Sequence, residues 1–466
     1  MELLEQLAQR DVLIGQLQEQ LAAAQARIAE LERRLGQNPR NSDRPPSSEG
    51  LAKPAPTSLR KRSGRKPGGQ PGHPGTTLRQ VDKPDVVVRH EPKACTACGD
   101  DLAGGTEVGV SRRQVFEIPP MSATVTEHQL VTRRCGCGVC TTAAAPEQVD
   151  APVQYGPRLT AIVIYLLVAQ FGAQKRVAAA VADLFGVPIS QGSVAAMAGR
   201  AARRLEGDFL GWLRQALTRS QLVHFDETGL RVDGRLHWVH SASTGKYSLV
   251  YVHPKRGREA MDAGGVLPGF TGIAVHDAWA PYDCYTTATH SLCNAHLLRE
   301  LVAAAELDAA AKQWAQQGIV ALLALKSAAE AAVAAAAAGI DPRVLAEQVD
   351  RFRHAALVGI KDHSGQKTKI GNKLHALARR MHDRLDDYLR FAHDPLRYPF
   401  DNNAAEREIR MVKLRQKVSG CLRTLTGAQQ FCAIRSYLAT AAKHGLNLLD
   451  ALTRLAAGDP WLPETA

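Results

Sequence analysis

The chain has 466 residues, 45% of them hydrophobic and 22% charged, which is the composition of an ordinary globular protein with room for two to four domains. A formal net charge of +12 and an isoelectric point near 9.3 favour a polyanionic partner over an acidic one. The most apolar stretch read from the sequence, Leu159 to Phe171, is too short for a bilayer span and contains Gln170, and the first residues form no signal peptide. A soluble, cytoplasmic protein without a membrane partner is therefore expected.

Residues 1–36 carry a heptad pattern. Leu7, Ile14, Leu21, Ile28 and Leu35 recur every seven residues, and Leu3, Leu17 and Leu31 lie on the alternate seam, interrupted by Arg10 and Ala24. This spacing predicts a coiled coil, and with it a homo-oligomer. Residues 37–80 are rich in turn formers and lack a core, so they read as a basic flexible linker. Arg60, Lys61, Arg62, Arg65 and Lys66 are its candidate DNA contacts, supplying salt-sensitive attraction to phosphates rather than sequence reading.

Five of the nine cysteines fall in residues 81–150: Cys95 and Cys98, then Cys135, Cys137 and Cys140. Paired cysteines at these spacings predict a structural zinc site, because four thiolates close a tetrahedron that can hold a domain with little core. Disulfides are the weaker alternative, and which two of the last three cysteines bind is left open, although Cys137 with Cys140 keeps the preferred two-residue spacer. Strands are expected at Val86–Arg89 and Thr124–Val131, and the remaining Cys284, Cys293, Cys421 and Cys432 read as small core residues.

Residues 151–210 read as helical. A helix from Arg158 to Phe171 precedes two more, Arg176–Phe185 and Ser190–Arg204, separated by Gly186-Val-Pro-Ile. The pair has helix-turn-helix proportions, with Ser190 as N-cap and Gln191, Ser193 and Arg200 facing a groove.

Three acids organise the remainder. A strand running to Asp226, the Asp233-Gly234 turn and a further turn at Ser243–Lys246 predict three antiparallel strands. A helical stretch from Arg258 to Ala263 leads to a fourth strand, Gly272–His276, which ends at Asp277. If that strand lies parallel to the first, Asp226 and Asp277 stand side by side, a suitable place for magnesium. The third acid, Glu406, opens a late helix, and its spacing from Asn403 is also that of a capping box. Helices are expected between Asp277 and Glu406, at Cys293–Ala305, through an alanine run ending at Gly339, and at Asn372–Ala392. Cys293 and His296 have the C-x2-H spacing of metal ligands, although core packing for the cysteine and a DNA contact for His296 are the preferred reading.

Five tracts in order carry a resemblance: Gly68-Gly-Gln-Pro-Gly-His-Pro-Gly, His224-Phe-Asp-Glu-Thr, His276-Asp-Ala-Trp-Ala-Pro-Tyr, Cys293-Asn-Ala-His-Leu-Leu-Arg-Glu and Asp401-Asn-Asn-Ala-Ala-Glu-Arg. Together they closely resemble the insertion sequence 66 family of bacterial transposases over nearly the whole chain. The resemblance implies that Asp226, Asp277 and Glu406 form a DDE triad binding magnesium or manganese. It also allows Cys135 to pair with Cys137 at zinc, makes Arg407 a substrate contact, and suggests small companion proteins of the same element.

The expected fold is α+β and multidomain, an RNase H-like mixed sheet with a helical insertion, preceded by coiled coil, zinc module and helix-turn-helix. The catalytic domain is expected at 211–420 with its insertion at about 285–395, followed by a C-terminal helical segment at 421–466. The expected activity is DNA strand cleavage and joining at element ends by two-metal phosphoryl transfer. The alternatives are a non-catalytic DNA-binding regulator or a metal-dependent nuclease without strand transfer.

Overall fold

A computed structural model describes residues 13–25, 27–28, 31–32, 78–308 and 311–464. Residues 13–25 form helix α1, on which Leu13, Ile14, Leu17 and Leu21 are all exposed. Leu3, Leu7, Arg10 and Leu35 of the heptad pattern, and the basic tract from Arg60 to Lys66, lie outside the described residues.

Between residues 78 and 150 the regular structure is one short antiparallel hairpin, β1 (Thr132–Arg134) with β2 (Cys140–Thr142). The strands expected at Val86–Arg89 and Thr124–Val131 do not form. Val86, Val87 and Val125 are exposed, and β propensity without a partner strand or packing surface does not make a strand.

The helical region begins with α2 (Pro157–Ile164), which continues as a π-helical turn over Tyr165–Ala169. The segment stops short of the expected Phe171, whose φ of 55° is left-handed. Next come α3 (Gln174–Phe185) and α4 (Gln191–Glu206). Gly186 closes α3 at φ 66°, and the Ser190 hydroxyl caps α4 by accepting from Ser193 N–H at 3.0 Å. Helix α5 (Asp208–Thr218) then delivers the chain to a five-stranded sheet.

The sheet contains β3 (Leu222–Val232), β4 (Arg235–Ser243), β5 (Ser248–His253), β6 (Ile273–His276) and β7 (Thr289–Leu292), in the order β5-β4-β3-β6-β7. Strands β3, β4 and β5 are antiparallel, and β6 and β7 add in parallel. Asp233 and Gly234, at φ 48° and 71°, make the two-residue turn between β3 and β4. Helix α6 (Arg258–Ala263) lies in the crossover to β6. Strand β7 was not expected.

Five helices occupy the stretch between β7 and the late helix: α7 (Asn294–Leu307), α8 (Lys312–Ala334), α9 (Pro342–His363), α10 (Lys369–Asp383) and α11 (Leu385–His393). Helix α8 ends before the expected Gly339, with Ala336 at φ 51°, and the helix expected at Asn372–Ala392 is two helices broken at Arg384. Among the described residues the longest apolar helix is therefore α8 rather than the Leu159 stretch. It is long and apolar enough to cross a membrane by length and composition, yet Trp314, Ala315, Ala321, Leu322 and Leu325 are buried in a core shared with α7, α9, α10 and α11. At Gly359 of α9 an added Cβ would stand 2.8 Å from Ala378 Cβ and 2.9 Å from the Trp314 ring, so glycine permits that close packing.

The chain then forms α12 (Asn403–Ser419), α13 (Leu425–Lys443) and α14 (Leu448–Ala457). Helix α13 packs along β5. Ser436 Oγ accepts from Val250 N–H at 2.8 Å and Thr440 Oγ1 from Ser248 N–H at 3.2 Å, so the outer edge of β5 is covered rather than left open to another chain. The main core joins the sheet to α2, α4, α5, α13 and α14. Of the scattered cysteines, Cys293 and Cys432 are buried as expected, whereas Cys284 and Cys421 are exposed.

Candidate active site

The parallel pairing of β3 with β6 runs Leu222↔Ile273, Val223↔Ala274 and His224↔Val275. Two residues further along each chain stand Asp226 and Asp277, in the same register and hence on the same side of the sheet. Asp226 is not at a strand end, because β3 continues through it to Val232 along β4. Asp277 immediately follows β6 and accepts Trp279 N–H at 3.1 Å. Burial raises the Asp226 carboxyl well above the usual range, and the charges of Glu227, Asp277 and Glu406 raise it further.

Glu406 arrives on the first turns of α12. The expected capping box is absent. Asn402, not Asn403, occupies the N-cap position, and its side chain is committed elsewhere: Oδ1 lies 2.9 Å from His224 Nδ1, while Nδ2 donates to Phe225 O at 2.6 Å. These bonds clamp the start of α12 onto β3 next to Asp226 and leave the Glu406 carboxylate free of the helix end. It faces Arg299 Nη2 at 3.9 Å and His296 Nδ1 at 4.0 Å, both on α7. Burial lowers the His296 pKa to about 3, assisted by Arg299.

A cleft of about 1280 Å³ lies between the sheet and the inserted helices. Asp226 and Asp277 line one wall; His296, Arg299 and Glu300 of α7 and Lys373 and Arg380 of α10 line the other. The insertion therefore does form a wall beside the acids, and that wall carries cations.

Sequence reasoning missed a second set of residues beside the aspartates. Arg256 donates to Glu227 Oε1 through Nε at 2.9 Å and Nη2 at 2.7 Å, while the Tyr282 hydroxyl donates to Oε2 at 2.8 Å. The guanidinium lies 3.8 Å from the centroid of Trp279 and 4.9 Å from that of Trp238. Burial and Asp277 push Glu227 up to about 7 against the pull of Arg256. The available signal was a second acid directly after Asp226 at a core-facing strand position.

The expected DNA contacts divide. Gln191 and Arg200 are exposed on α4, and Arg407 is exposed on α12 with Nε 3.3 Å from Asn403 O. His296 sits in the cleft beside Glu406 instead of on an open surface. Of the other cations on α12, Lys413 donates to Gly229 O and Arg415 to Gly420 O, so both contribute to the fold, whereas Arg410 and Lys417 are exposed.

The cysteine-rich segment forms two similar turns. Cys95 N–H donates to Asp100 O and Gly99 N–H to Cys95 O, with Gly99 at φ 85°. Cys135 N–H donates to Val139 O and Gly138 N–H to Cys135 O, with Gly138 at φ 91°. In each turn backbone N–H groups point at the first sulfur and hold its thiol below the ordinary range: those of Cys98 and Ala97 at Cys95, and chiefly that of Cys137 at Cys135. Thiolate-stabilising turns suit zinc. The second turn draws together Cys135 and Cys137, one of the two pairings that the sequence left open.

Comparison with known families follows this division of the chain. Residues 92–138 match the zinc-finger binding domain of transposase IS66, a span that includes Cys95, Cys98, Cys135 and Cys137 and excludes Cys140. Residues 2–79 match a family of unknown function, DUF6444. No curated protein matches the chain. Residues 152–430, more than half of the 466, match the transposase IS66 family, and the chain belongs to that family.

Proposed function

We propose that this transposase cleaves and joins DNA strands at the ends of its element, with Asp226, Asp277 and Glu406 as a DDE triad on an RNase H-like fold. The observation that carries the reading is the parallel register of β3 and β6, which aligns two aspartates whose mutual repulsion and burial call for a cation. The three carboxylates would hold magnesium or manganese, which supplies Lewis-acid stabilisation of the in-line displacement at a phosphodiester in a two-metal mechanism. Oxygen donors of this kind suit hard cations.

The other residues have separable roles in this reading. Arg299 and Lys373 neutralise DNA phosphates across the cleft and Arg407 does so beside it, while Arg380 is paired with Glu300 and donates to the Tyr388 hydroxyl at 3.0 Å. The stacked Trp238, Arg256 and Trp279 offer an aromatic platform for an unpaired base at a processed end. Cys95, Cys98, Cys135 and Cys137 hold structural zinc, α3 and α4 act as a helix-turn-helix through Gln191 and Arg200, and the apolar seam of α1 joins copies of the chain.

The test compares wild type with Asp226→Asn and Asp277→Asn in magnesium-dependent cleavage of element-end DNA and in gel-shift binding. Cleavage is expected to vanish with binding largely retained. Cleavage at the wild-type rate removes that aspartate from the site.

A further inference from the structure

We propose that Cys293, His296 and Glu406 form a transition-metal site that takes Zn2+ or a similar divalent ion and, when filled, draws Glu406 away from the aspartate pair. The binding stands on the three side chains alone; its effect on activity rests on the reading of Glu406 as the third catalytic acid.

Among the described residues, one trio of metal-ligating side chains has all its donor atoms within 4.8 Å of one another, and it is Cys293, His296 and Glu406. Tetrahedral zinc ligands lie about 3.5 Å apart, so only small side-chain movements separate this arrangement from a closed site. Cys293 occupies the N-cap position of α7 and is 1% exposed. Its sulfur accepts Asn402 N–H at 3.2 Å, and it lies at the positive end of the helix. Burial pushes the thiol up to about 12, so an entering ion has to displace its proton, as a thiophilic divalent ion does at cysteine.

His296 lies one helical turn along. Its Nδ1 is buried, has no hydrogen-bond partner, and lies 4.0 Å from Glu406 Oε1. An orphaned ring nitrogen facing a carboxylate at more than hydrogen-bond distance is an unfilled ligand position. Arg299 stands 3.9 Å from the same carboxylate, too long for a hydrogen bond, and is a weak competitor for an entering ion.

The donor set selects the ion. One sulfur, one imidazole nitrogen and one carboxylate oxygen suit zinc or cobalt and disfavour magnesium. Three protein ligands leave a fourth position open to water or a phosphate oxygen. The α12 helix thus presents Glu406 to two metal environments of different hardness, and the ion that holds it sets whether it is available to Asp226 and Asp277.

The experiment titrates Co2+ into the purified full-length chain whose zinc finger is already loaded with zinc. One additional Co2+ per chain is expected, with the near-ultraviolet charge-transfer band of a cobalt-thiolate bond. Cys293→Ser should remove the band. His296→Gln and Glu406→Gln should each weaken Co2+ binding by at least about tenfold, and His296→Gln serves alone if Cys293→Ser fails to fold. No band, or a band that survives Cys293→Ser, overturns the proposal. Added Zn2+ should also suppress magnesium-supported cleavage, with His296→Gln raising the zinc required by about tenfold or more. A cobalt band together with normal cleavage by Glu406→Gln keeps this site and removes the catalytic reading. A missing band together with abolished cleavage does the reverse.

Discussion

Glu406 and Glu408 leave α12 in opposite directions. Glu406 faces His296 and Arg299 of α7, whereas Glu408 turns to the sheet, accepts from Ser248 Oγ at 2.8 Å and lies 3.4 Å from Lys443 Nζ. Two residues advance a helix by about 200°, which is why neighbouring acids on one segment meet different surroundings. Lys443 also donates to Thr244 O and Tyr247 O at 2.9 and 3.0 Å, so Glu408 completes a buried polar knot that fastens α12 and α13 to β5.

The two glutamates therefore predict opposite mutant phenotypes. Glu406→Gln keeps side-chain size and removes only the charge of a cation ligand, so cleavage is expected to fall by orders of magnitude with little change in melting temperature. Glu408→Gln weakens a buried charge-assisted contact and should cost about 1.5–3 kcal/mol of stability while the folded fraction still cleaves. Thermal denaturation and single-turnover cleavage on both variants decide the matter. Normal cleavage by Glu406→Gln removes it from the triad.

A second expectation concerns pH. Burial and neighbouring acids raise Asp226 well above its ordinary 3.8, and raise Glu227 from 4.5 to about 7. The folded protein therefore binds these protons more tightly than the unfolded chain. The stability they contribute is fully present below their ordinary pKa values and is lost as pH rises toward 7. Without a divalent ion, stability should decline across that window. Magnesium binds the ionised form, so it should restore little at pH 5 and most at pH 8, about 2.7 kcal/mol at a hundredfold excess over Kd. Melting curves with and without magnesium at both pH values check this, and Asp226→Asn should abolish the difference. An equal magnesium effect at both pH values would contradict the carboxylate site.

Local chemistry in the sequence accounts for much of this architecture. Asp233-Gly234 specified a hairpin because both of its residues can adopt positive φ, and Ser190 specified a helix start because its hydroxyl satisfies an orphan N–H. The tertiary features were less legible. Strand β7, Thr289-His-Ser-Leu, lacks the alternation of a half-buried strand and is defined by its parallel pairing with β6. Asn403 and Glu406 had the spacing of a capping box, but Asn402 takes the N-cap position and spends its side chain on His224 and Phe225 rather than on the helix end, a contact across about 180 residues that no local pattern encodes. The bond from Arg256 to Glu227 was hidden for the same reason, since its partners meet only when β3 and the loop after β5 are folded together.

The remaining prediction separates the cysteines of the zinc finger. Cys95 and Cys98 share one turn, Cys135 and Cys137 the other, and each turn aims backbone N–H groups at its leading sulfur. Cys140 instead begins β2, where its backbone pairs with Arg134 in the hairpin. Serine at position 95, 98, 135 or 137 should therefore release about one zinc per chain and loosen residues 78–150, because zinc binding supplies folding energy where little core exists. Cys140→Ser should keep that zinc. The main sheet has its own hydrophobic core and should retain its melting transition in all five variants. Elemental analysis of protein purified without chelator, alongside limited proteolysis of the segment, reads both effects. Loss of zinc from Cys140→Ser with retention in Cys135→Ser would move the ligand pair to Cys137 and Cys140, the pairing with the two-residue spacer.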